Sequence, residues 1–202
     1  MQPSRFTLSL VSCLGLLLLL AGCRPRSLRP ADLLFHVAGE GNAITDVTPG
    51  MIDHVAIVLS ADSVVEAVPD GGVRVTSVAD LLRQDGRYLQ ARVEGVDAER
   101  TLAGALRYLG QPYDSLYLPD NAEIYCSELV QFSFVDRQGN RLFQPIPMSF
   151  RDSTGEITPY WTDFYRRNDM AVPDSLPGTN PSELSQRRIV RILGDAEVSL
   201  SD

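Results

Sequence analysis

The sequence predicts an α+β domain behind an export signal, and three observations predict it. Between residues 32 and 93, short β-branched runs alternate with turn residues. From 97 to 167, helix-period apolar stripes alternate with loops. The first 22 residues form an apolar leader that stands apart from both patterns. Strands first and helices interleaved later are the signature of α+β. The chain has 202 residues, 44% hydrophobic and 22% charged, which is enough for one domain with a sizeable core. Its 26 acidic side chains outnumber 18 basic ones, all arginine, for a net charge of -8. That balance speaks against phosphate-backbone binding, so no nucleic-acid partner is expected. A chain without lysine excludes lysine Schiff-base chemistry.

In the leader, Arg5 gives the positive end and Leu16 to Leu20 an unbroken apolar run, short for a membrane span. The run closes on Leu20-Ala21-Gly22-Cys23, which resembles a bacterial lipobox. The reading is a signal peptide over 1–22, acylation of Cys23, and a tether over 23–30 in which Pro25 and Pro30 oppose a helix. A folded domain over 31–202 follows, held at a membrane of the bacterial cell envelope by the N-terminal lipid. Of Cys13, Cys23 and Cys126, only Cys126 then remains as a free thiol. An intramolecular disulfide and a cysteine-rich zinc site are thereby excluded; a zinc site completed by carboxylates stays open, and no metal is assigned.

Along the domain, residues 32–35 read as a first strand and 39–50 as turn-rich. Residues 54–59 form the clearest strand, 64–68 its return, and 73–76 a third after the Pro69-Asp70-Gly71-Gly72 turn. Ser77 caps a helix over 78–83, and 88–93 is a further strand. Asp97 precedes a helix over 98–109, with Leu102, Ala105, Leu106 and Leu109 as its stripe and Gly110 as its stop. Residues 111–124 are mostly loop. Tyr125-Cys126-Ser127-Glu128 opens another helix, which continues with Leu129, Val130, Ser133 and Phe134. Residues 138–158 are turn-rich, 160–167 an amphipathic helix, 173–182 a Pro/Gly/Asn-rich arm, and 189–193 a last strand.

The chemistry-bearing residues are few. Cys126 stands where a loop becomes a helix, and free N–H groups and the helix dipole there stabilise a thiolate. His54 begins the strongest strand and shares a face with Ala56 and Val58. Glu66 lies on the next strand. An even-sum hairpin register sets it on the same face as His54 and an odd-sum register does not, and the sequence leaves both open. A buried cysteine on an apolar helix face also reads as core packing.

Asp32-Leu33-Leu34-Phe35, Ile52-Asp53-His54-Val55-Ala56-Ile57-Val58, Val65-Glu66-Ala67, Gly110-Gln111-Pro112-Tyr113-Asp114 and Tyr125-Cys126-Ser127-Glu128-Leu129-Val130 occur in an order that resembles the permuted papain-like amidases, the YiiX-like branch of the NlpC-type cysteine hydrolases. Pro177-Gly178-Thr179-Asn180-Pro181 resembles the same branch. The resemblance implies a circularly permuted papain-like fold, with a small antiparallel sheet or half-barrel packed on helices and the nucleophile at a helix N-terminus. It implies Cys126 as nucleophile, His54 as base and Glu66 as the polar third member. Tyr113 falls where relatives keep an aromatic near the site, either lining the substrate cleft or packing. Glu128 either approaches a cationic substrate group or favours its helix start. His36 matches no catalytic position of the family and reads as structural or exposed. The activity implied is amide hydrolysis through a thioester, without metal or organic cofactor, on a small amide or peptide such as a peptidoglycan fragment. Two other readings stay open: a lipid acyl hydrolase or acyltransferase like the permuted lecithin retinol acyltransferase relatives, and a non-catalytic binding lipoprotein.

Overall fold

The computed structural model describes residues 27–38, 52–84, 86–152 and 154–197. The signal segment, Cys23 and the turn-rich stretch 39–50 lie outside the described residues.

Six strands form one antiparallel sheet: β1 (Leu33–Val37), β2 (Ile52–Val58), β3 (Ser63–Val68), β4 (Gly72–Ser77), β5 (Arg87–Val93) and β8 (Val190–Asp195). Their spatial order is β4-β3-β2-β1-β5-β8. The last strand runs two residues beyond the 189–193 expected. A two-stranded ribbon pairs β6 (Ile146–Pro147) with β7 (Pro177–Gly178). Alternation along the strands splits the apolar residues between two faces. Leu33, Phe35, Val55, Ile57, Val65 and Ala67 face the main core. Leu34, Ala56, Val58 and Val64 face a smaller one, closed by Val78 and Leu81 of α1 (Val78–Leu81) and by Leu28. Leu28 belongs to the segment read as tether, and here it packs on the domain.

The main core is covered by α2 (Ala98–Leu106), α3 (Cys126–Ser133) and α5 (Pro181–Ser185) through Ala105, Leu129, Val130 and Leu184. Each fully buried leucine or phenylalanine contributes about 1.5–3 kcal/mol. At the other end of the chain's fold, Asp32 is buried and accepts from Arg92 Nε (2.8 Å), Arg92 Nη2 (2.9 Å) and Gln90 Nε2 (2.7 Å). This cluster fastens the start of β1 to β5.

Two expectations need correction. The α2 helix ends at Leu106, not Leu109, because its last N–H groups bond three residues back: Arg107 to Gly104, Tyr108 to Ala105 and Leu109 to Leu106. The tightened turn rotates Leu106 and Leu109 into solvent, and the buried face carries Thr101 and Ala105. The arm over 173–182 is not all irregular. Asn180 accepts from Glu183 N and Pro181 takes the first helical position, so a short helix, α5, begins there.

Candidate active site

The site forms where β2, β3 and the start of α3 meet. The β2–β3 ladder pairs Ile57 with Val65 and Val58 with Val64, the even-sum register. Continued along the strands, that register sets Glu66 opposite Ala56, and His54 shares the face two residues away. His54 Nε2 donates to Glu66 Oε2 at 2.9 Å. The ring's other nitrogen, Nδ1, is left for Cys126, whose influence raises the pKa of the imidazole.

Glu66 is fully buried and well supplied with donors. Its Oε1 accepts from the Thr76 hydroxyl at 2.5 Å and from Arg74 Nε and Nη2, each at 3.3 Å. Sequence reading missed Arg74 and Thr76. The signal was available: a β3–β4 turn closing on Val68 and Gly72 makes Arg74 the direct partner of Glu66. Burial alone would raise the Glu66 carboxyl, but the bonds from His54 and Thr76 and the charges of His54 and Arg74 hold it below the usual carboxylate range. Burial alone would lower His54, yet its bonds to Cys126 and Glu66, with their negative charges, push it up to about 10. An imidazolium so placed is a counter-ion for a thiolate.

Cys126 is the first residue of α3 and is buried. The other four helices begin with a side-chain cap: Ser77 for α1, Asp97 for α2, Thr158 for α4 (Pro159–Arg167), and Asn180 for α5. Tyr125, at the corresponding position of α3, makes no side-chain cap bond. A helix start without a capping oxygen keeps its first N–H groups available to an external anion. This is the arrangement an oxyanion hole requires.

An open cleft of about 700 Å³ lies beside Cys126. Tyr113 and Tyr117 stand in its wall, together with Met148, Phe150 and Trp161 from the aromatic cluster around α4. Tyr113 is brought there by a close approach: Val73 N donates to Gln111 O at 2.9 Å. A Cβ on Gly72 would lie 2.0 Å from that carbonyl oxygen, so only glycine leaves room. The loop that follows is clamped by buried Asp114, which accepts from Leu116 N (2.9 Å), Leu118 N (2.7 Å) and Asn121 Nδ2 (3.0 Å). The clamp holds Tyr117 in the left-handed region, at φ 53°, where it packs edge-on against Tyr125 and Trp161. Burial and the nearby Cys126 charge raise both phenols, Tyr113 well above its ordinary value and Tyr117 to about 12.

Glu128 does not line this cleft. It borders a second cavity with Asp120, Gln131 and Arg141. Its carboxyl bonds the Tyr125 backbone N–H, the N3-to-N-cap half of a capping box. Its Oε2 is buried without a partner, and burial, helped by Asp114, pushes its pKa up to about 8. His36 is not free either: its Nδ1 bonds Asp53 Oδ1 at 2.6 Å, and its ring lies 4.9 Å from that of Tyr88. Among the described residues, no group of three or more His, Cys, Asp or Glu is placed to hold a metal ion.

A buried cysteine at an uncapped helix start, beside a histidine on a strand that precedes it in the chain, in an antiparallel sheet, defines a class: a papain-like cysteine hydrolase with permuted order. The chain belongs to the permuted papain-like amidase family YaeF/YiiX, C92, whose profile matches residues 27–186. It is therefore a cysteine amidase or peptidase-like hydrolase. The fold is also that of a crystal structure described as metalloprotein yiiX from Escherichia coli O157:H7. The TM-score is 0.68 at 22% identity, covering 84% of this chain and 98% of that one. No curated protein sequence matches the chain.

Proposed function

We propose that the protein hydrolyses an amide through a thioester on Cys126. The observation that carries this reading is His54, bonded through Nε2 to buried Glu66 at 2.9 Å, with its other nitrogen left for Cys126 at the start of α3. His54 holds the proton of Cys126 as an imidazolium, and the thiolate sulfur attacks the carbonyl carbon. The carbonyl oxygen becomes an oxyanion against N–H groups at the start of α3, the Cys126 N–H first among them. His54 returns the proton to the amide nitrogen as the C–N bond breaks, and the amine leaves. Water then gives a proton to His54 as its oxygen attacks the thioester. Cys126 leaves as the thiol and the carboxylic acid is released. Glu66, pinned by Thr76 and Arg74, keeps the imidazole in the tautomer and orientation this needs. The lipobox-like string ending at Cys23 supports an envelope setting and a membrane anchor, and hence a cell-wall peptide as substrate.

A second reading is cleavage of a lipid acyl ester by the same chemistry, favoured by the apolar wall of Met148, Phe150 and Trp161. Full-length protein in detergent, incubated with muropeptides and separately with phospholipid vesicles, decides between them. Amine release from muropeptides, with an acyl adduct on Cys126 in mass spectrometry, is the expected result. Turnover of phospholipid alone overturns the amide assignment. No adduct on Cys126 with any substrate overturns the mechanism.

A further inference from the structure

The string Pro177-Gly178-Thr179-Asn180-Pro181 is not used by the mechanism above, yet it crosses the start of α3. The two residues that flank Cys126 both hold one residue of this strap, Thr179, through the peptide groups on either side of it. Thr179 N–H donates to Tyr125 Oη at 3.1 Å, and Ser127 Oγ donates to Thr179 O at 3.3 Å. Thr179 and Ser127 are almost completely buried, so neither bond is exchanged for water.

The rest of the string brings Thr179 to that position. Pro177 and Gly178 pair with Pro147 and Ile146, which fixes the strap's approach. A Cβ on Gly178 would stand 2.5 Å from Met148 Cγ and 2.9 Å from Tyr125 Oη, so a side chain there displaces the phenol that receives Thr179 N–H. Asn180 caps α5 and Pro181 starts it, which anchors the strap's far end. Leu184 of α5 is buried in the main core beside α3. Thr179, Asn180 and Pro181 then form cleft wall facing Cys126.

We infer that the Thr179 backbone, gripped at its N–H by Tyr125 and at its carbonyl by Ser127, is a positioning element that fixes the backbone N–H of Cys126 as an oxyanion donor. The physical reason is local. Tyr125 makes no capping bond from its side chain, so the turn that carries the Cys126 N–H lacks the side-chain restraint with which the other four helices begin. The strap restores it from outside, through side chains on both sides of the nucleophile, and leaves the N–H itself unspent. Donors to an oxyanion are effective only when held rigidly at the position the charge will occupy.

The inference rests on the acyl-enzyme reading, and its test separates the two. Full-length protein in detergent is compared with Ser127→Ala, Ser127→Thr and Gly178→Ala by three measurements. The first is the rate at which iodoacetamide alkylates Cys126, which develops no oxyanion. The second is the acylation burst with p-nitrophenyl acetate. The third is inhibition by N-acetyl-alanine aldehyde, in which the sulfur adds to the carbonyl carbon and the oxygen, as an oxyanion or after taking the thiol proton, lies in the hole. In Ser127→Ala and Gly178→Ala, acylation and aldehyde affinity fall together by about tenfold or more, while alkylation stays within about twofold. Ser127→Thr, which keeps the hydroxyl, restores both. Parallel loss of alkylation and acylation overturns the inference, because the strap then only holds the fold. Unchanged aldehyde affinity in both variants overturns it as well. A parent chain that alkylates rapidly but shows no acylation burst and no aldehyde inhibition overturns the acyl-enzyme reading and the inference together.

Discussion

His36 on β1 and His54 on β2 are direct partners in the ladder, and each ring bonds a carboxylate carried by the next strand. His36 uses Nδ1 to reach Asp53, and His54 uses Nε2 to reach Glu66. Nothing about the pairs alone marks one as chemical, since the distances are 2.6 Å and 2.9 Å and both rings are mostly buried. The differences lie in what surrounds them. His36 spends its outer face on the Tyr88 ring, whereas His54 presents its second nitrogen to a thiol. Glu66 is fully buried with Thr76 and Arg74 fixing its second oxygen, whereas Asp53 stands at the rim of the cleft. A carboxylate orients an imidazole. It becomes part of a reaction only where a nucleophile stands on the other side.

The largest expected effect tests that contrast directly. Cys126→Ala and His54→Ala each reduce turnover by about 1,000-fold or more, measured with whichever substrate the parent accepts. His36→Ala leaves kcat/KM within about threefold and lowers unfolding stability by about 1–3 kcal/mol in urea titrations, as expected for one mostly buried charged hydrogen bond. A His36→Ala variant as inactive as His54→Ala breaks the distinction between the pairs.

Glu66→Gln comes next. It keeps the shape but gives up the charge that holds His54 protonated, and kcat falls by about 100-fold. The pH profile reads the cause. The imidazolium is present below about 10 and is lost as pH rises through that value, so parent activity declines on that alkaline limb. In Glu66→Gln the limb moves to lower pH. A limb that does not move removes Glu66 from the charge balance of the pair.

The smallest effect concerns a carboxylate with no histidine at all. Glu128 is buried like Glu66, but without cationic partners its pKa moves the opposite way, up to about 8. A raised pKa in the folded state means the stabilising proton is fully held below the ordinary glutamate range and lost as pH rises through about 8. Stability of the parent therefore declines across that window. Glu128→Gln cannot ionise, so it flattens the decline and is more stable by about 1–3 kcal/mol at pH 9 in thermal or urea unfolding. An unchanged decline means that another group titrates there.

The six strands of the main sheet and most helix starts were legible in the sequence because they rest on local signals: β-branched runs, Ser77, Asp97 and Pro-Asp-Gly-Gly, whereas the two-residue strands β6 and β7 carry no such signal. Helix ends were less legible, as at Leu106, because a switch to three-residue bonding leaves no residue signature. The roles proposed for Cys126, His54 and Glu66 rest on family order, while their proximity needed the even register, which depends on the turn joining β2 to β3. The environment of Glu128 could not be read at all. Its position at N3 was visible, but whether the side chain turned to the cleft or back to Tyr125 is decided by packing across α3. Asp53 was hidden for a similar reason. The ladder irregularity beside it, where His36 pairs with His54 but Val37 pairs with Ile52, turns it toward His36.

The wall of the cleft has a practical consequence. Trp161 is the chain's one tryptophan, and it sits in that wall with Tyr117 and Phe150 edge-on against it. Its emission is therefore an internal optical gauge of whatever enters. Occupancy can be followed through fluorescence intensity and wavelength without dye, radioisotope or turnover, in the Cys126→Ala variant as in the parent.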